Sequence, residues 1–195
     1  MKKTLTIFAL LICIAISQTS FAQNTVESIR SDYSAIKNTI KEMGNGEEMP
    51  LLRYEIIKNQ NLPGTGPHKE VVQFYFSENE NDYGEIESRL IKYASVKYNF
   101  AAREFYEEYL YDKNGKIEFI YAKNPDGPDF ETFEFRFYIN AGKIVKVIIN
   151  CKKENETKFS QIYSGATLDA KYKTYYDNFI KQADKNIKMF NAIDY

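Results

Sequence analysis

Between Leu51 and Cys151 the chain is written as short aromatic and β-branched runs separated by turn residues, a pattern that suits a sheet of consecutive strands. The runs are Leu51–Lys58, Glu70–Ser77, Glu87–Tyr98, Arg103–Asp112, Ile117–Lys123, Phe130–Ile139 and Ile144–Cys151. The links between them are short or marked by Gly and Pro, as in Leu62-Pro63-Gly64 and Asn124-Pro125-Asp126-Gly127-Pro128. Neighbouring strands joined this way form an antiparallel meander. Leu90 to Phe105 contains no Pro or Gly and permits a helical reading as well.

The flanks switch to helical spacing. Val26, Ile29, Tyr33, Ile36, Ile40 and Met43 fall three or four residues apart, one apolar stripe. Asn24 and Glu27 suit a capping box, and Gly44-Asn45-Gly46 suits a helix end. Leu168, Tyr172, Tyr175, Phe179, Ala183, Ile187 and Phe190 form a second stripe, with Thr167 as its expected cap and Asp169 in its first turn. The expected fold is α+β: an antiparallel meander of six to seven strands flanked by an N-terminal helix and a long C-terminal helix. Both helices are expected on one sheet face, in a single domain spanning residues 23–195.

Two hairpins allow a register to be set. Tyr111-Asp112-Lys113-Asn114-Gly115-Lys116-Ile117 recurs as Tyr138-Ile139-Asn140-Ala141-Gly142-Lys143-Ile144. In both, a three-residue loop ending in Gly suits a type I turn with a bulge. That register gathers Tyr109, Tyr111, Ile117, Phe119 and Tyr121 on one face of the first hairpin. In the second it gathers Phe133, Phe135, Phe137, Val145, Val147 and Ile149.

The N-terminus reads as a secretory signal. Lys2 and Lys3 precede an apolar run from Leu5 to Ile16, and Ser20-Phe21-Ala22 closes it before Gln23. The run is shorter than the roughly 20 residues that span a bilayer. Ile12, where a lipoprotein signal wants a small residue, argues against a lipid on Cys13. Cleavage after Ala22 would place the protein in the periplasm or outside the cell. It would also leave 24 basic groups against 27 acidic ones, because Lys2 and Lys3 go with the signal. That balance offers no basic face for nucleic acid or for anionic lipid. Cys151 becomes the sole cysteine, so no internal disulfide can form. Stability must come from packing, for which Tyr and Phe, 16 and 14 over the whole chain, supply the bulk apart from Phe8 and Phe21 of the signal.

Little in the chain points to chemistry. His68, the one histidine, lies in the Pro/Gly-rich loop Asn61–Lys69. Cys151 shares parity with Ile149 and Val147 and reads as a small buried hydrophobe. A Cys151–His68 dyad would need the two within hydrogen-bond reach. Glu104, Glu107, Glu108, Glu131 and Glu134 contain the carboxylates for a glycosidase pair, although Glu among Lys and Arg is ordinary on a wet sheet face. Glu78-Asn79-Glu80-Asn81-Asp82 lacks the order of a calcium loop and reads as a solvated loop, as does Lys152–Glu156. Asn155-Glu156-Thr157 has the form of a glycosylation sequon. No catalytic residue, metal site or cofactor motif stands out. Opposite the Phe133/Phe135/Phe137 face lie Thr132, Glu134, Arg136 and Tyr138, with Ile144, Lys146 and Ile148 across the hairpin. That mixture resembles a recognition surface, with Arg136, Tyr138 and Lys146 as its candidate contacts.

The stretches Glu107–Ile117 and Phe135–Ile144 resemble the Gly-Lys-aliphatic β-hairpins of small exported bacterial proteins, and are similar to MORN-type repeats. They depart from those repeats in having two copies at a longer spacing, so no repeat function carries over. A signal followed directly by Gln23 is similar to that of exported Bacteroidota-like proteins. The expected function is a non-catalytic exported module that binds a protein, peptide or glycan. The alternatives are a hydrolase built on a Glu pair or on Cys151 with His68, and a structural subunit of an envelope assembly.

Overall fold

The computed structural model describes residues 25–43, 51–125 and 130–193. The expected signal segment, the expected Asn24 cap and the expected Gly44-Asn45-Gly46 helix end lie outside the described residues. Helix α1 covers residues 25–43, as its stripe requires. Eight strands follow among the described residues: β1 (Leu52–Leu62), β2 (Gly66–Glu80), β3 (Ile86–Phe100), β4 (Arg103–Tyr111), β5 (Ile117–Asn124), β6 (Thr132–Asn140), β7 (Lys143–Lys152) and β8 (Ser160–Gly165). They pair antiparallel in strict chain order, a single meander. Leu90–Phe105 is strand on both sides of a tight turn, and β8 is a strand beyond the six or seven expected. No helix among the described residues is long and apolar enough to cross a membrane.

The helices lie on opposite faces of the sheet, not on one. Alternation explains why. Phe74, Ala94, Tyr109, Ile120, Phe135 and Val147 point to one face and pack with Tyr172, Phe179, Ala183 and Phe190 of the C-terminal segment. Tyr75, Tyr93, Leu110, Phe119 and Tyr138 point to the other and pack with Val26 and Ile29 of α1. Each central strand is therefore buried on both sides, which accounts for its near-continuous apolar runs. The C-terminal helix α2 (Lys173–Asn191) is preceded by a short 3₁₀ turn, Ala170–Tyr172. Asp169 caps that turn, accepting from the Lys171 amide, and α2 itself starts after Tyr172 with no side-chain cap, so Thr167 caps neither.

Both hairpins depart from the expected register. In β4–β5 the three-residue loop is present, with Asp112 N donating to Lys116 O and Gly115 at φ +72°. A further bulge at Glu118 then pairs Tyr111 with Ile117 but Tyr109 with Ile120. Phe119 and Tyr121 consequently face α1, away from Tyr109 and Tyr111. In β6–β7 the loop is only two residues, Ala141-Gly142, both at positive φ, the signature of a type I′ turn. A bulge at Val145 restores the pairing of Phe137 with Val147, so Val145 faces α1 and Ile144 faces α2. One extra residue moves every later side chain to the other face, and these two bulges do so.

Candidate ligand-binding cleft

The seat of α1 on the sheet is only partly apolar. Val26 and Ile29 are buried, while Tyr33, Ile36, Ile40 and Met43 are half-buried. Polar contacts complete it. Glu108 of β4 is only 3% exposed. It accepts from Lys37 Nζ of α1 at 2.7 Å, from the Tyr106 hydroxyl at 2.6 Å and from the Tyr33 hydroxyl. Burial pushes the Glu108 carboxyl up, but the bonds from Lys37, Tyr106 and Tyr33 outweigh it and hold the group below its ordinary value. Lys37 Nζ also lies 3.2 Å from the Tyr93 hydroxyl. Burial, followed by the Glu108 charge, raises the Tyr33, Tyr93 and Tyr106 phenols, so they serve as neutral donors.

Beside this seat, α1, β4 and the β4–β5 loop leave a cleft of about 630 Å³. Ala35, Ile36, Leu51 and Leu110 give it apolar walls, and Asp32, Asp112 and Glu118 supply carboxylates. Lys92 and Lys113 also line it. A smaller hollow of about 140 Å³ adjoins it toward the Ala141-Gly142 turn and shares Asp112 and Glu118. Glu118 is half-buried because the bulge turns it toward the α1 side. Its carboxyl is pushed up to about 7 by burial and then by the facing charges of Asp32 and Asp112. A cation placed among these groups would relieve that repulsion.

The sequence-derived contacts fall elsewhere. Tyr138 is 4% exposed beneath α1, with the Arg30 guanidinium over its ring and Arg30 Nε 3.2 Å from its hydroxyl. Arg136 is half-buried over the Tyr121 ring and 3.4 Å from Glu134, and Lys146 pairs across the hairpin with Tyr138. Of the mixed face expected from the sequence, Tyr138 and Ile148 pack with the α1 cluster, while Ile144 faces α2.

Of the groups of the hydrolase alternative, Cys151 and His68 are far apart, while Glu108 and Glu134 share the α1 face with Tyr121 between them. His68 is on β2 and Cys151 on β7, five strand steps apart, about 24 Å at ordinary spacing. Glu107 and Glu108 point to opposite faces. Glu107 accepts from Tyr98 at 3.2 Å and from Tyr109 on the α2 side, and burial raises its carboxyl. Glu134 accepts from Tyr121 at 2.8 Å, and Glu104 pairs with Lys97 at 3.4 Å. No group of three metal-ligating side chains is assembled among the described residues. Sequence reasoning missed Glu118 because its role depends on a bulge, and Asp32 because it sits on the polar side of a helix stripe. Comparison with protein-family models, with curated proteins and with solved structures returned no match.

Proposed function

We propose that this protein is a non-catalytic, exported binding module whose site is the cleft between α1 and the β4–β5 hairpin. The observation that carries the reading is the pairing of apolar walls, Ile36, Leu51 and Leu110, with three carboxylates, Asp32, Asp112 and Glu118. Concave sites of this kind bury a ligand's apolar part and fix its orientation through a few polar groups. The cleft holds the volume of an amino-acid side chain with its flanking backbone, and its three carboxylates, set against Lys92 and Lys113, favour a cationic end group. A protein or peptide presenting lysine or arginine fits better than an uncharged glycan. The separation of His68 from Cys151, and the engagement of Glu108 by Lys37, Tyr33 and Tyr106 beneath α1, support binding over hydrolysis.

The test is an amide chemical-shift titration of the cleaved protein with N-acetyl-lysine-N-methylamide, and with its glutamate counterpart. Saturable shifts at Asp32, Leu110, Asp112 and Glu118 are expected with the lysine compound alone. Equal responses to both compounds, or shifts confined to other faces, would overturn the reading.

A further inference from the structure

We propose that the outer part of the β2–β3 hairpin is an arm that extends the cleft, and that the two together hold a basic protein segment. The inference rests on the reading of the cleft and names its partner class. The registers define the arm. Pairing of β1 with β2 starts at Leu52–Phe76, and pairing of β3 with β4 starts at Tyr93–Leu110. Beyond those points Ser77 to Leu90 pair only with each other, through Glu78–Arg89 and Asn79–Ser88 to Glu80–Ile86. No other described strand flanks either edge.

Two-stranded ribbons are marginal on their own; Arg89 over the Phe190 ring of α2 fastens the root of this one, and its outer part carries exposed side chains. Glu80, Asp82, Glu85 and Glu87 follow one another with no Lys or Arg between them, while Glu78 pairs in register with Arg89. At the tip Tyr83 is 90% exposed, and Ile86 beside it is 46% exposed. The tip is nevertheless ordered. Asn81 Oδ1 accepts from the Tyr83 and Glu85 amides, both at 2.9 Å, and Gly84 N donates to Asn81 O. An aromatic and an aliphatic side chain held in the open beside one sign of charge suit a partner with the opposite sign and its own apolar groups.

The arm's root adjoins the cleft. Lys92 lines the cleft, and a methyl placed on Gly115 would meet Leu90 Cδ1 at 3.6 Å, so the arm passes the loop that carries Asp112 and Lys113. The carboxylates of cleft and arm lie at the same end of the sheet. A segment with one basic side chain in the cleft would lay its neighbouring residues along the arm. Alternating lysine and apolar residues would match an extended partner, because successive side chains of a strand point to opposite sides.

The experiment measures fluorescence anisotropy of a labelled peptide alternating lysine with leucine and serine, at about 0.15 M salt, where exposed charges farther than roughly 8 Å apart are largely screened. Glu80→Gln, Asp82→Asn and Glu87→Gln combined should weaken binding about tenfold, and Tyr83→Ala several-fold without any change of charge. These positions are exposed, so circular dichroism and the melting temperature should stay at wild type. Unchanged affinity in both variants, while N-acetyl-lysine-N-methylamide still shifts the cleft amides, would overturn the arm and leave the cleft reading intact. Weakened peptide binding with no cleft response to the small compound would overturn the joint surface and the cleft reading. Self-association in sedimentation that Tyr83→Ala abolishes would make a second copy the occupant and overturn the proposal.

Discussion

Lys37 on α1 stands 2.7 Å from Glu108 Oε1 on β4, and this pair ties the N-terminal helix to a sheet face that its apolar stripe covers only in part. The Glu108 end is 3% exposed. An amide there loses the charge and turns one of the two accepting oxygens into a donor facing the Lys37, Tyr33 and Tyr106 donors. Glu108→Gln should cost about 2–3 kcal/mol at neutral pH, measured by urea unfolding. The native carboxyl lies below its ordinary value of 4.5, so its stabilisation is present above that value and is lost as pH falls through the native one. The gap between wild type and Glu108→Gln should therefore narrow on acidification below about 4.5.

Cys151 is 7% exposed on the α2 side of β7, and burial, then Glu131, raises its thiol. A thiol reagent should modify native protein slowly and urea-unfolded protein fast. Cys151→Ala should leave ligand binding unchanged and cost about 1 kcal/mol in packing. Fast native labelling that slowed in His68→Ala would contradict the strand placement of both residues.

Glu118 works against the fold at high pH. Its native carboxyl sits at about 7, above the ordinary 4.5, so the native state binds more protons between those values and stability falls as pH rises through the window. Glu118→Gln removes this dependence. The melting temperature of the variant should gain on wild type from pH 5 to pH 8, with solvent screening keeping the gain modest. A constant difference across that range would contradict the environment described for Glu118.

The elements were legible in the sequence because their periods were. Val26 to Met43 reads as one stripe and forms one helix, and the aromatic runs from Leu51 to Cys151 form the strands. The faces were less legible. Parity arguments place Phe135, Phe137, Val147 and Ile149 together correctly, yet fail at Phe119, Tyr121 and Val145, where one bulged residue reverses the facing of its strand. The recurrence that matters was also a different one. Asp112-Lys113-Asn114-Gly115-Lys116 matches Asn81-Asp82-Tyr83-Gly84-Glu85, not the Ala141-Gly142 turn. In both loops the leading Asx side chain accepts two amides, and its backbone N–H donates to the residue four further on. The cleft could not be read because the sequence does not say that α1 and α2 take opposite faces. That depends on which parity of each strand is the more apolar, and here both are.

The most direct test of the cleft as a cation site is the titration of the Glu118 side-chain carboxyl by carbon NMR, with and without saturating N-acetyl-lysine-N-methylamide. In the free protein it should titrate near 7, held there by burial and by Asp32 and Asp112. With the lysine compound bound, the ammonium should favour the charged carboxylate, and the midpoint should fall by about one unit. Binding and proton release are linked, so affinity should rise with pH across the same interval. A Glu118 midpoint that stays where it was while the compound binds would contradict the cation site, because the ammonium would then lie outside the cleft.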